Sequence, residues 1–226
     1  MPEPRSTAIL AALQREGMVH RAGQLDFGIV GLSLLAGGST SMGFIQLLAA
    51  PLQNLATSTV EVLAVQTEVF VAPLLVSLLL LLRQAPQLVH LGARLRRGRL
   101  HARRPLLWLR EWWGLSLSAV ALLPYVLAGS LVAAMLTRPE LNALEELRFL
   151  VGNINPSMLV VSLIKSVVFA TQILWISLIQ GSRGWEQGRS SSTALSRAIS
   201  LSIATVLSLD LAWVLALEPS VGSGAL

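Results

Sequence analysis

Lys165 is the only lysine in 226 residues, and it stands inside the apolar stretch LIKSVVFATQILWISLIQG, Leu163 to Gly181. The run from Pro156 to Gln180 is long enough to cross a bilayer, where an ammonium is costly unless it is paired or hydrated. Two acids occupy comparable runs, Glu68 between Val62 and Leu82 and Asp210 between Arg197 and Leu217. Counted from the end of each run that faces away from the arginines, Glu68 lies about six residues in, Asp210 about seven and Lys165 about eight or nine. At about 1.5 Å per residue, all three sit roughly 9–14 Å below one face. Two carboxylates and an ammonium at one level predict a buried charge network of Glu68, Lys165 and Asp210. Such a network can fix helix packing, line the polar part of a cavity, or switch between conformations. A lysine near a helix end can also extend its stem to the headgroups, and the residue pattern alone leaves that alternative standing.

Other reactive side chains are scarce. There is no cysteine, which excludes disulfides, thiolate metal sites and cysteine nucleophiles. Phosphate-loop, HExxH and GxSxG patterns are all missing, and Lys165-Ser166 follows Leu163-Ile164 rather than a glycine-rich turn. His20, His90 and His101 have no metal-ligand spacing. The expectation is therefore a non-enzyme with no catalytic residue, no metal site and no cofactor, whose energy comes from another chain or from an ion gradient.

The elements that must position the three charges follow from composition. The chain is 54% hydrophobic and 13% charged, with a mean hydropathy of +0.67, whereas soluble domains have about 25% charged residues. The fold class is an all-α polytopic membrane protein. One five-helix domain over 25–217 is predicted, with spans at about 25–48, 62–82, 114–136, 157–180 and 197–217. Residues 1–24 carry Ile9, Leu10 and Leu13 on one side and arginines among the rest, as in a short interfacial helix. Residues 138–151, with Leu141, Leu144, Leu147 and Val151 in one stripe, predict a short outer amphipathic helix. Residues 218–226 form a tail. In the first span Ser33, Gly37 and Ser41 recur every fourth residue, giving a small-residue face for close helix approach. Pro73 and Pro124 each remove a backbone donor inside a span.

Charge fixes the expected orientation. Arg5, Arg15 and Arg21, the eight arginines between Arg83 and Arg110, and Arg183, Arg189 and Arg197 fall on one side of such a five-span bundle. Only Arg138 and Arg148 fall on the other. Positive residues mark the cytoplasmic side, which predicts a multi-pass protein of the inner (plasma) membrane with its N-terminus in the cytoplasm and its C-terminus outside. The net charge of +5 then meets anionic headgroups rather than nucleic acid.

The C-terminal spans carry a family likeness. Ile164-Lys165-Ser166, Phe169, Trp175-Ile176-Ser177, Gly181, Ser196-Arg197-Ala198 and Asp210 resemble the MlaE-type permeases, membrane subunits of ABC transporters that move lipids together with MCE-domain proteins. Thr67-Glu68, Pro73 and Arg83 are weaker points of resemblance upstream. The resemblance implies a permease that dimerises with a second copy or a paralogue and encloses an apolar lipid cavity. It also implies an ABC ATPase on the cytoplasmic side and an MCE-domain protein on the outer side. The family's buried Glu, Lys and Asp fall on Glu68, Lys165 and Asp210. One segment departs: the family's acidic coupling stretch is replaced by Leu91 to Leu100, in which Arg94, Arg96, Arg97 and Arg99 become the candidate docking residues. That departure keeps a second reading open, a structural or regulatory membrane subunit derived from such a permease that transports nothing.

Overall fold

A computed structural model describes residues 27–49, 57–96, 104–136 and 156–222, with isolated positions between 145 and 154. All of the long elements are helices: α1 (Phe27–Ala49), α2 (Thr57–Arg96), α3 (Arg104–Leu136), α4 (Pro156–Glu186) and α5 (Ser191–Gly222). Each is long and apolar enough to cross a membrane. The proposed interfacial helix of residues 1–24 lies outside the described residues, as does almost all of the proposed amphipathic helix at 138–151.

The helices overrun the spans that hydropathy marks. α2 is 40 residues long, about 60 Å at 1.5 Å per residue, twice the hydrocarbon thickness. It continues from Arg83 through Arg96, so the first half of the basic connection is helix rather than loop. Ala, Leu, Arg and Gln dominate that stretch, and they are strong helix formers whatever their polarity. α3 likewise begins ten residues before the span predicted at 114, and α5 continues past Leu217 to Gly222. Between α4 and α5 the polar segment predicted at 182–196 shrinks to a four-residue turn. There Gly188, at φ 60°, lets its own N–H reach the Trp185 carbonyl and the Arg189 N–H reach that of Gly184. The Ser190 hydroxyl then accepts the Thr193 N–H and starts α5. The glycine C-cap and serine N-cap together reverse the chain tightly.

The most extensive packing joins α2 to α4 and α1 to α3. Consecutive crossings alternate in direction, so the helices of each pair run parallel. Both pairs close through glycine. A Cβ on Gly37 would overlap the Val126 carbonyl, and one on Gly129 the Leu34 carbonyl. In the other pair a Cβ on Gly92 would overlap the Leu178 carbonyl, and one on Gly181 that of Val89. In every case a glycine meets the residue three positions before the facing glycine, a geometry in which Cα–H groups point at carbonyls across the interface. Ser33, Gly37 and Ser41 are buried, as the small-residue face requires. Val69, Ala72, Val76 and Leu80 of α2, Leu122 and Val126 of α3, Phe169, Ile173 and Leu174 of α4, and Val206 of α5 form one continuous core. Leu32, Leu35, Val132, Val160, Ile164, Leu211 and Leu215 stay exposed on the rim, where lipid replaces water as solvent.

Candidate functional site

The site begins with Pro73. A proline has no N–H, so the carbonyl four residues earlier, on Val69, loses its helical partner. The Ser162 hydroxyl of α4 donates to that carbonyl. One turn further along α4, Lys165 Nζ donates to the next carbonyl, that of Phe70, at 3.2 Å. Ser162 and Lys165 share a helix face at a spacing of three; Ser162 satisfies the carbonyl that Pro73 opens in α2, and Lys165 meets the carbonyl next to it.

Lys165 is fully buried, at 0% exposure. Its ammonium lies 2.5 Å from Asp210 Oδ1 of α5. It also stands 3.6 Å from the centroid of the Phe70 ring and 5.8 Å from that of Phe169. The Asp210 contact is an ion pair without an aligned hydrogen bond to Oδ1, and the Asp210 side chain keeps 19% exposure. One cation therefore links three helices: α4 supplies it, α5 its counter-ion, α2 a carbonyl and an aromatic face. The ammonium is held within the bundle by these contacts.

Glu68 takes a different place. It is also fully buried, but its Oε1 accepts a 2.7 Å hydrogen bond from the Thr40 hydroxyl of α1. Its Oε2 accepts none among the described residues. The predicted three-membered network is thus two units, Lys165–Asp210 and Glu68–Thr40. The two units share α2 but lie on different faces of it, since Glu68 turns toward α1 while the Phe70 carbonyl turns toward α4. Counting depth along each span could not reveal that split. Thr40, Phe70 and Ser162 were not singled out by sequence. Pro73 is the signal that leads to Ser162, since it names the Val69 carbonyl as needing a donor.

At the arginine-rich end, Arg94 and Arg96 close α2, while Arg97 and Arg99 lie outside the described residues. Arg96 is engaged by an ion pair to Glu186 at the end of α4. α3 enters at this level with Trp108 stacked on Trp112, centroids 6.2 Å apart. Trp112 Nε1 donates to the Thr171 hydroxyl of α4 at 2.7 Å.

Compared with known proteins, residues 111–216 match the family model Permease MlaE. No curated protein matches the chain. The matched segment runs through most of α3, all of α4 and most of α5. It includes Lys165 and Asp210 and leaves Glu68 and the arginines of 94–99 upstream.

Proposed function

We propose, from the Permease MlaE match over α3 to α5, that this chain is the membrane permease subunit of an ABC transporter moving phospholipid-like lipids. A separate ATPase chain supplies the energy from the cytoplasmic side, an MCE-domain protein works on the outer face, and a second permease copy or a paralogue completes the membrane unit. The family match over residues 111–216 is the observation that carries this reading. Five span-capable helices and the arginine distribution support a multi-pass plasma-membrane protein with its N-terminus in the cytoplasm.

The residues then take the following parts. Lys165 and Asp210 hold α4 and α5 together and tie both to α2 beside Pro73. Glu68 and Thr40 tie α2 to α1. Arg94 and Arg96 close the extension of α2, Arg97 and Arg99 follow them in sequence, and an ATPase groove of acidic character would dock on this basic segment. The basic character of that segment also favours a second reading, a structural or regulatory subunit that couples to no ATPase.

Purifying the tagged chain in mild detergent, with mass spectrometry of everything bound, separates the two. An ATPase with a phosphate loop, an MCE-domain chain and phospholipid support the transporter. A homogeneous complex containing neither chain overturns it in favour of the structural subunit.

A further inference from the structure

Between the ends of α2, α3 and α4 at the arginine-rich side lies a cleft of about 670 Å³, within the range of roughly 300–1,000 Å³ typical of small-molecule sites. It is distinct from the buried charges, and of the lining named here the transport reading uses Arg96 alone. Its walls are Leu95 of α2, Trp108 of α3, and Trp175 and Leu178 of α4, with Arg96 and Arg183 at the mouth. The backbone contact between Gly92 and Leu178 brings α2 and α4 together here, so the walls are held by the closest helix approach at this end of the bundle.

The two guanidinium groups at the mouth of the cleft differ. Arg96 is neutralised by Glu186, whereas Arg183 has no carboxylate partner among the described residues. An apolar slot with an unmatched cation at its mouth asks for one kind of occupant, with an apolar body and an anionic head.

We infer that this cleft binds an anionic phospholipid of the adjoining leaflet, its headgroup on Arg183 and its chain along Trp175, Leu95 and Leu178. The position favours lipid over a protein partner. Tryptophans crowd α3 at Trp108, Trp112 and Trp113, as they do where helices cross the headgroup layer, and basic pockets between spans on the cytoplasmic side suit anionic headgroups. The leaflet assignment rests on the orientation proposed above; binding itself does not depend on transport.

The test uses the full chain, in whatever complex it purifies, reconstituted in nanodiscs of equimolar phosphatidylcholine and phosphatidylglycerol. Lipid retained after detergent release is read by native mass spectrometry. The wild type is expected to hold phosphatidylglycerol in preference. Arg183→Gln should lower that preference about fivefold, the worth of one basic residue at a membrane surface. Arg189→Gln removes the same charge from the turn outside the cleft and should leave the preference intact. Equal retention of both lipids by the wild type overturns the site. So does an equal loss in Arg189→Gln, which would mean diffuse attraction. Loss of a bound protein chain in Arg183→Gln at unchanged lipid preference would assign the cleft to that protein instead. None of these readouts requires an ATPase or transport, so failure here leaves the permease reading untouched, and failure of that reading leaves this test intact.

Discussion

The Lys165–Asp210 pair makes an asymmetric prediction, because its two partners differ in burial. Asp210→Asn keeps the shape of the acceptor and removes its charge, leaving a fully buried ammonium with only the Phe70 carbonyl at 3.2 Å and the Phe70 ring at 3.6 Å. Breaking a buried pair from one side costs about 3–5 kcal/mol. The ring and carbonyl retain part of that, since a desolvated cation–π contact alone is worth about 2 kcal/mol, so the expected loss sits near the lower end. Lys165→Met instead leaves Asp210, whose side chain is 19% exposed and can turn toward hydrated surroundings. Its loss should stay below the about 2.5–3.5 kcal/mol of a charged residue at the bilayer centre. The double variant replaces an ion pair with a neutral one of similar volume and should lie close to wild type. Unfolding of the four proteins in one detergent, followed by tryptophan fluorescence, gives the cycle. The reasoning fails if Asp210→Asn is no more harmful than Lys165→Met, or if the double variant loses the sum of the singles. Lipid transport by the same four proteins then assigns the role. A stable double variant that transports would confine the pair to holding helices, and one that does not would give the charges a part in the cycle.

Two further predictions concern the packing around that pair. Gly129→Ala places a methyl on the Leu34 carbonyl and should destabilise by about 1–3 kcal/mol through overpacking. Gly28→Ala, which meets open space on α1, should be neutral or mildly stabilising; equal melting temperatures for the two variants would refute the close approach of α1 and α3. Ser162→Ala leaves the Val69 carbonyl without a donor and should cost about 1–3 kcal/mol. In a Pro73→Ala background that cost should shrink, because the new N–H can reclaim the carbonyl; an unchanged cost in both backgrounds would show that Ser162 does not serve the proline gap.

Five spans were legible because a bilayer imposes length and apolarity on every crossing, and the arginines gave their expected order. The extension of α2 past Arg83 was not, since Arg94, Leu95 and Arg96 read as a basic connection to hydropathy although each favours helix. Burial of Lys165 and Glu68 is what their positions in the spans lead one to expect, while Asp210 is only half-buried. Their partners could not be expected in that way, because counting residues gives depth along a span and says nothing of the direction a side chain faces. Glu68 met Thr40 because α1 packs on that side of α2, and Lys165 met Asp210 because α5 folds back on α4 at the Gly188 turn. The glycine contacts were half visible. Ser33, Gly37 and Ser41 announced one face, while the facing half, Val126 to Gly129, is an ordinary apolar string until its partner is known.

The arrangement of these contacts decides where the bundle can flex. α2 and α4 are fastened at two levels, by Ser162 and Lys165 on the Val69 and Phe70 carbonyls, and by the reciprocal Gly92–Leu178 and Gly181–Val89 contacts. From Val69 to Val89 is twenty residues, about 30 Å of helix, so the two fastenings span the hydrocarbon layer and prevent α2 and α4 from scissoring. α1 and α3 are clasped through Gly37 and Gly129. Each single helix contact between the two pairs is less extensive than the contact within either pair, and the polar links across the boundary include the Thr40–Glu68 and Trp112–Thr171 hydrogen bonds. Interfaces of packed helices shift as units rather than deforming continuously, and the two fastened pairs are the units this chain offers. Glu68, with one oxygen bonded across that boundary and the other buried without a partner, stands on the line where the two halves meet.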